Sequence, residues 1–294
     1  MSIGEGDLAE VSGAGMRAER AVAQRYLRRV PWEMVAWGLG NCLLWLSLWP
    51  LVFGGILPLW LGFLLATLSA ILGYLPSHEA QHSIIGAEGT RWRWLNELVG
   101  HASLLPLAFP YRLAWITHRQ HHAHTNHPDL DPDISNRGET WLRSAYRALR
   151  ARQPGEGHCY ARTIRESQHP KRDQALVESF VMQVLHFGVL TSAAWSGYAI
   201  EACLLWWLPK HLGLVYIQLF LSWAPHYPMV ETGRYRDTRV WTCPFGTIAS
   251  MGMEYHLVHH LYPKIPLFDT PKAFRAMEGL LLAEGIRDER SQQP

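Results

Sequence analysis

The 294-residue chain predicts an all-α integral membrane protein, with about four transmembrane helices and a cytosolic helical cap. Three observations carry that prediction. Four long runs are apolar and nearly uncharged, the polar stretches beside them hold three tight histidine clusters, and Arg and Lys collect on one side of the implied topology. Hydrophobic residues make up 48% of the chain, yet mean hydropathy is only -0.07, so the apolar residues are concentrated and a large polar share lies outside the bilayer. A net charge of +2 is too small to point to a nucleic-acid partner. The four cysteines, Cys42, Cys159, Cys203 and Cys243, form no C-x-x-C pair and read as isolated reduced thiols.

Residues 1–15 are Gly-rich, without an apolar signal-peptide core, and are expected to be disordered. Residues 16–30 place five arginines between apolar residues, as in a basic amphipathic helix on a membrane surface or an ordinary solvated helix. A single membrane domain is expected over 16–285. Residues 34–53 are long enough for one span, Gly54 and Gly55 make the turn, and 57–75 form a second span that stops at Pro76. The polar stretch 77–174 contains an apolar segment, 98–109, too short to cross, an amphipathic basic helix at 139–152, and a loop at 153–174. Spans three and four are expected at 176–200 and 202–223, with Pro209 and Lys210 interrupting the fourth. Polar chain follows over 226–285, including a helix with Thr270 as N-cap and Pro271 at its first position, and then a flexible tail over 286–294. Four spans put both termini and the 77–174 region on one side, and that side carries nearly all the Arg and Lys, which makes it cytosolic.

The histidines supply the chemistry. His78 and His82 are spaced H-x-x-x-H; His118, His121 and His122, and again His256, His259 and His260, are spaced H-x-x-H-H. At helical spacing the rings of each group share a face. One ion rarely takes more than four or five protein nitrogens, so eight clustered imidazoles argue for two metals. A site rich in nitrogen and poor in thiolate suits iron working with dioxygen. The segment His78-Glu79-Ala80-Gln81-His82 also matches H-E-x-x-H, the signature of a zinc metalloprotease with Glu79 as general base, but that reading leaves both H-x-x-H-H clusters without a role. A carboxylate-bridged di-iron bundle needs two Glu-x-x-His motifs, and only Glu79 and His82 supply one.

HEAQH, HRQHH and EYHLVHHLYP, in this order and on this topology, resemble the three histidine boxes of the membrane fatty acid desaturase and hydroxylase superfamily. The resemblance covers roughly residues 34–280. It implies a di-iron centre on the cytosolic side, with His78, His82, His118, His121, His122, His256, His259 and His260 as ligands and His226, in SWAPHYP, as a further ligand after the last span. It implies dioxygen as co-substrate and desaturation or hydroxylation of an unactivated hydrocarbon, a fatty acyl lipid first and a carotenoid or other terpenoid second. Asn126, Asp131 and Asp133 resemble a stretch found downstream of the second box in several branches, where a carboxylate could orient a ligating imidazole; Asp-Pro-Asp also favours a plain turn. His124 and His127 are expected beside the ligands or facing solvent, and His186 as a core histidine within span three. No His-Pro-Gly-Gly haem motif is present, so electrons are expected from a separate ferredoxin, rubredoxin or cytochrome-type carrier.

Overall fold

The computed structural model describes residues 15–27, 29–134, 137–150 and 159–290, with the backbone alone for Cys159. Among these residues the regular elements are helices, and extended pairing is limited to one isolated bridge between Val240 and Asp288. The chain divides into two compact units: a membrane unit, Pro31–Trp223, and a terminal unit made of Met1–Val30 with Ala224–Pro294.

In the membrane unit, helices α2 (Trp32–Phe53), α3 (Leu59–Gln81), α8 (Arg172–Trp195) and α9 (Ala199–His226) are each long and apolar enough to cross a bilayer. Helix α9 ends in the terminal unit. Helices α4 (Arg93–Leu104), α5 (Tyr111–His124), α6 (Trp141–Arg150) and α7 (Cys159–Glu166) lie between the second and third spans. Lipid is as apolar as these side chains, so span association depends on close packing and on buried hydrogen bonds. Trp45, Leu48, Val52, Leu205 and Trp206 form one packed cluster. Within it Trp45 Nε1 donates to the Leu205 carbonyl and Trp206 Nε1 to the Leu105 carbonyl, both at 3.1 Å, so each indole is packed and satisfied at once.

The expected stop at Pro76 does not occur. Helix α3 runs through Pro76 to Gln81, and residues 75–81 are all buried. Proline removes one backbone donor and disturbs the turn before it, but α4 packs along this stretch and the Ser77 hydroxyl donates to the Gly100 carbonyl at 3.0 Å. The approach of α3 and α4 is close enough that a Cβ on Gly73 would collide with the Ser103 carbonyl oxygen, and a Cβ on Gly100 would collide with the Tyr111 ring. The interruption expected at Pro209 is absorbed by a wide π-helical turn, Cys203–Trp207, directly before it, and a second follows at Gln218–Trp223. Helix α7 replaces part of the loop expected over 153–174, because Ile164 packs with Ile116 and Ala175; His158 lies outside the described residues.

In the terminal unit, helix α1, over 15–23, buries Ala23 with Val240, Leu257, Val258, Phe274, Met277 and Leu281. Glu19 is fully buried and accepts from Arg234 at 2.9 Å, Tyr235 at 2.8 Å and Tyr262 at 2.7 Å. One face of this basic helix is therefore core; Arg17, Arg20 and Arg25 remain exposed. Residues 1–14 and Arg28 lie outside the described residues. Helix α10 is His256–Leu261 and α11 is Thr270–Ala283. Asp269, not Thr270, is the N-cap of α11, its carboxylate held by Arg29 at 2.7 Å and Lys272 at 3.5 Å, while the Thr270 hydroxyl donates back to the Leu267 carbonyl. The tail expected to be flexible from 286 is packed through 290: Ile286 joins the core, Asp288 is buried, and Arg290 pairs with Asp288 at 2.6 Å and Glu278 at 3.0 Å.

Candidate metal centre

Each unit gathers its own histidine cluster. In the membrane unit, His78 lies in the last turn of α3, His82 caps that helix, and His118 and His122 lie one turn apart near the end of α5. One ring nitrogen from each of these four lies within 4.8 Å of the others. His118 Nε2 is 2.8 Å from His82 Nε2 and 3.1 Å from His122 Nε2. In the terminal unit, His256 Nε2 is 3.2 Å from His226 Nε2 and 3.1 Å from His260 Nε2.

These contacts fit cations better than hydrogen bonds alone. A ring nitrogen carries either one proton or one lone pair, so Nε2 of His118 cannot satisfy both of its neighbours, and neither can Nε2 of His256. Two imidazole nitrogens each about 2.1 Å from one metal ion would lie about 3–3.5 Å apart, close to the observed spacings. Burial first, and then the rings of His78, His122, His82 and His121, hold the His118 imidazole well below its usual pKa. It is thereby kept neutral, the form that donates a lone pair.

His121 shares the second box but turns elsewhere. Its Nδ1 is 2.8 Å from Asp131 Oδ1 and 4.0 Å from Asp133 Oδ2. Burial pulls the His121 pKa down, but the Asp131 carboxylate outweighs it and the net shift is upward. Asp131 is itself fully buried and saturated: it accepts from the Asn126 N–H at 2.9 Å, the Asp133 N–H at 2.9 Å and Arg137 at 3.0 Å. An anchored carboxylate of this kind fixes ring tautomer and orientation, leaving Nε2 for a ligand. Asn126 stands at a left-handed backbone position, φ 65°, and its side-chain oxygen accepts from Arg137. Asp133 accepts from the Tyr160 hydroxyl and, at 3.1 Å, from Ser222. The Asp-Pro-Asp turn and the imidazole support are thus one structure. Glu79 is buried within α3 between the two first-box histidines.

In the terminal unit His226 is fully buried and its Nδ1 lies 3.2 Å from the Asp237 carbonyl, the expected acceptor for an Nδ1 proton. His256 Nδ1 lies 3.3 Å from Met253 Sδ, and His260 Nδ1 is 3.9 Å from the Asp237 carboxylate. His259 is buried on the same helix, its ring centroid 5.2 Å from that of His256.

The remaining histidines have local roles. His127 Nδ1 accepts from the N–H groups of Asp129 and Leu130, at 3.2 and 3.3 Å, closing the turn after the second box. His124 lies beside it, with ring centroids 6.3 Å apart. His169 stacks edge-on with Trp115 and His211 with Trp207. His101 sits in an ion network with Glu97, Arg112 and Glu178. His186 is buried in span three against Trp206. Arg137, Met253 and Asp237 carry no motif of their own, and only the fold places them at the clusters.

The fold and the clusters define a class: an all-helical membrane protein whose clustered histidines could hold metal ions. Comparison with known proteins makes the assignment specific. The chain belongs to the fatty acid desaturase family, whose model matches residues 54–288, a stretch holding His226 and all eight box histidines. That family places it among the oxidoreductases. It is 23% identical to the sn-1 oleoyl-lipid 12-desaturase of Picosynechococcus sp. over 253 residues, covering 76% of this chain and 69% of that protein. It is 23% identical to the sn-1 acyl-lipid omega-3 desaturase (ferredoxin) of Nostoc sp., covering 71% and 64%. It is 26% identical to the dihydrorhizobitoxine desaturase of Bradyrhizobium elkanii, covering 67% and 61%. The chain thus spans between 61% and 69% of the length of these relatives.

Proposed function

We propose that this protein is a dioxygen-dependent desaturase of a long acyl chain carried on a membrane lipid, working with two irons. The observation that carries the reading is the convergence of imidazole nitrogens in two buried clusters within a chain of this family. His78, His82, His118 and His122 hold one iron, and His226, His256 and His260 the other, with His121 and His259 as further ligands. Iron supplies the activation of dioxygen that lets a C–H bond of an unactivated chain be broken.

The protein's own residues do the rest. Asp131 holds His121 in one tautomer, and the Asp237 carbonyl does so for His226. Apolar spans present the acyl chain and exclude water, and the placement of that chain selects the carbon. Electrons come from a separate one-electron carrier; one relative's name specifies ferredoxin, and exposed Arg17, Arg20 and Arg25 would favour a carrier with an acidic docking face. The excess of Arg and Lys on the histidine side supports a cytosolic active site and cytosolic termini. The desaturase assignment absorbs HEAQH, so a zinc protease is not proposed.

The test is iron content and lipid chemistry together. Protein purified in detergent should carry about two irons per chain. With dioxygen, reduced ferredoxin and a membrane lipid bearing a monounsaturated acyl chain, it should form a further double bond, read by mass spectrometry. Iron-loaded protein that yields only hydroxylated product would replace desaturation with hydroxylation. Iron-loaded protein inert toward acyl lipids but active on a carotenoid would move the substrate class.

A further inference from the structure

The membrane-unit cluster draws its histidines from two helices, so its geometry depends on how the end of α3 is held against α5. The backbone between the two first-box histidines is gripped at one atom. The Ala80 carbonyl, between His78 and His82, accepts from Asn96 Nδ2 at 2.9 Å and from the Tyr111 hydroxyl at 2.9 Å, besides the Ser83 N–H at 2.9 Å. Asn96 Nδ2 also lies 3.2 Å from the Tyr111 hydroxyl, and its Oδ1 accepts from the Gly86 N–H at 3.2 Å. Asn96 is fully buried and Tyr111 is 2% exposed.

We propose that Asn96 and Tyr111 form a positioning clamp that sets the metal geometry of the membrane-unit histidine cluster. The physical reason is the direction of the levers. The last carbonyls of a helix have no partner within the helix, so its final turn is free to fray or rotate unless something outside holds it. Here that final turn carries His78, and His82 follows as the cap. Tyr111 opens α5, and His118 stands seven residues further along the same helix, a rigid distance of about 10.5 Å at the helical rise. The Tyr111–Ala80 hydrogen bond therefore ties the first-box backbone to the helix that carries the second box. Asn96 adds α4 and spans the turn after His82, where Ser83 takes a left-handed conformation, φ 58°. The fit is specific, since any side chain at position 100 would displace the Tyr111 ring. Neither residue reaches a histidine ring through these bonds, so the clamp acts on metal geometry through the backbone alone.

This rests on the metal reading of the cluster, and its test separates the two. Tyr111→Phe removes only the hydroxyl, and Asn96→Ala removes the second arm. Asn41→Ala is the control: Asn41 Nδ2 donates to the Ser69 carbonyl at 2.9 Å, a buried bond of the same unit that touches neither box. Each protein is loaded with Fe(II) or with Co(II) as a spectroscopic probe, and three quantities are read: the ligand-field spectrum, the rate of metal release to a chelator, and thermal stability of the metal-free form. Tyr111→Phe and Asn96→Ala should alter the spectrum and speed release of about half the metal by roughly 10-fold, the scale of losing a partner that orients ligands. Asn41→Ala should lower stability and leave the spectrum and release rate as in the parent. Parent-like spectra and release in Tyr111→Phe, in protein that holds metal, would overturn the clamp alone. A parent protein that takes up no metal would overturn the cluster reading and the clamp with it.

Discussion

The two histidine clusters share spacing but not support. In the membrane unit the rings project from α3 and α5, helices of 23 and 14 residues, and the second box is backed by a buried carboxylate, Asp131, that is saturated with hydrogen bonds. In the terminal unit the third box sits on α10, a helix of six residues, too short to be stable by itself. It is held by its surroundings instead. The Trp241 indole donates to the Met253 carbonyl at 3.0 Å, the Trp241 N–H to the Glu254 carbonyl at 3.2 Å, and Leu257 and Val258 are buried against Phe274. The imidazoles there lie against a main-chain carbonyl, a thioether and, at the longer distance of 3.9 Å, the Asp237 carboxylate. One motif is therefore fixed by rigid long helices and charge, the other by a packed core around a short turn.

The contrast is tested most severely at the ligands. His118→Ala and His256→Ala should each abolish turnover and remove about one of two irons, one from each cluster. Loss of both irons in either variant, by elemental analysis, would show that the clusters do not load separately. Next comes the terminal core. Phe274 is fully buried, and Phe274→Ala should destabilise the terminal unit by about 3–5 kcal/mol. It should loosen the His256 cluster and spare the His118 cluster, measured by thermal unfolding and chelator release. Asp131→Asn probes the membrane-unit side. It keeps the shape but weakens the hold on His121, and metal affinity or activity should fall about 10- to 100-fold with little change in fold. An affinity unchanged in titrations would mean that the carboxylate serves only the turn.

Two smaller effects complete the series. Glu19→Gln removes the charge that three donors address, and should cost about 1.5–3 kcal/mol, read as proteolytic release of residues 15–23. In the membrane unit, Glu97 is opposed by burial but held below its ordinary value of 4.5 by His101, Arg93 and Arg112. A depressed carboxylate contributes stability above its unfolded pKa and loses it as pH falls through the folded value. Acidification below about 4.5 should therefore weaken the α4–α5–α8 network, and Glu97→Gln should flatten that part of the stability profile.

Much of this was legible before folding, for local reasons. Apolar run length marked four spans, and the spacings of His78 with His82, of His118 with His122 and of His256 with His260 put each pair on one helix face. Helical periodicity reaches only a few residues, so both follow from the chain directly. Terminal residues of elements were less legible. The α3 helix passes Pro76 because α4 packs against it, α7 forms because Ile164 finds Ile116 and Ala175, and the chain end stays packed through Arg290 because Glu278, a helix away, helps Asp288 to hold it. Each of these outcomes needs a partner beyond the reach of a local pattern. The same holds for the site. Sequence spacing placed His121 with His118 and His122, but only the fold turns it to Asp131 rather than into the cluster of His78, His82, His118 and His122. Asn96 and Tyr111 carry no motif, and their grip on Ala80 is visible only once three helices are assembled. Residue order thus set which chemistry this protein carries and on which helix faces. Which nitrogens converge, and what holds them, was chosen by the packing of distant segments, because those are long-range choices that no local period encodes.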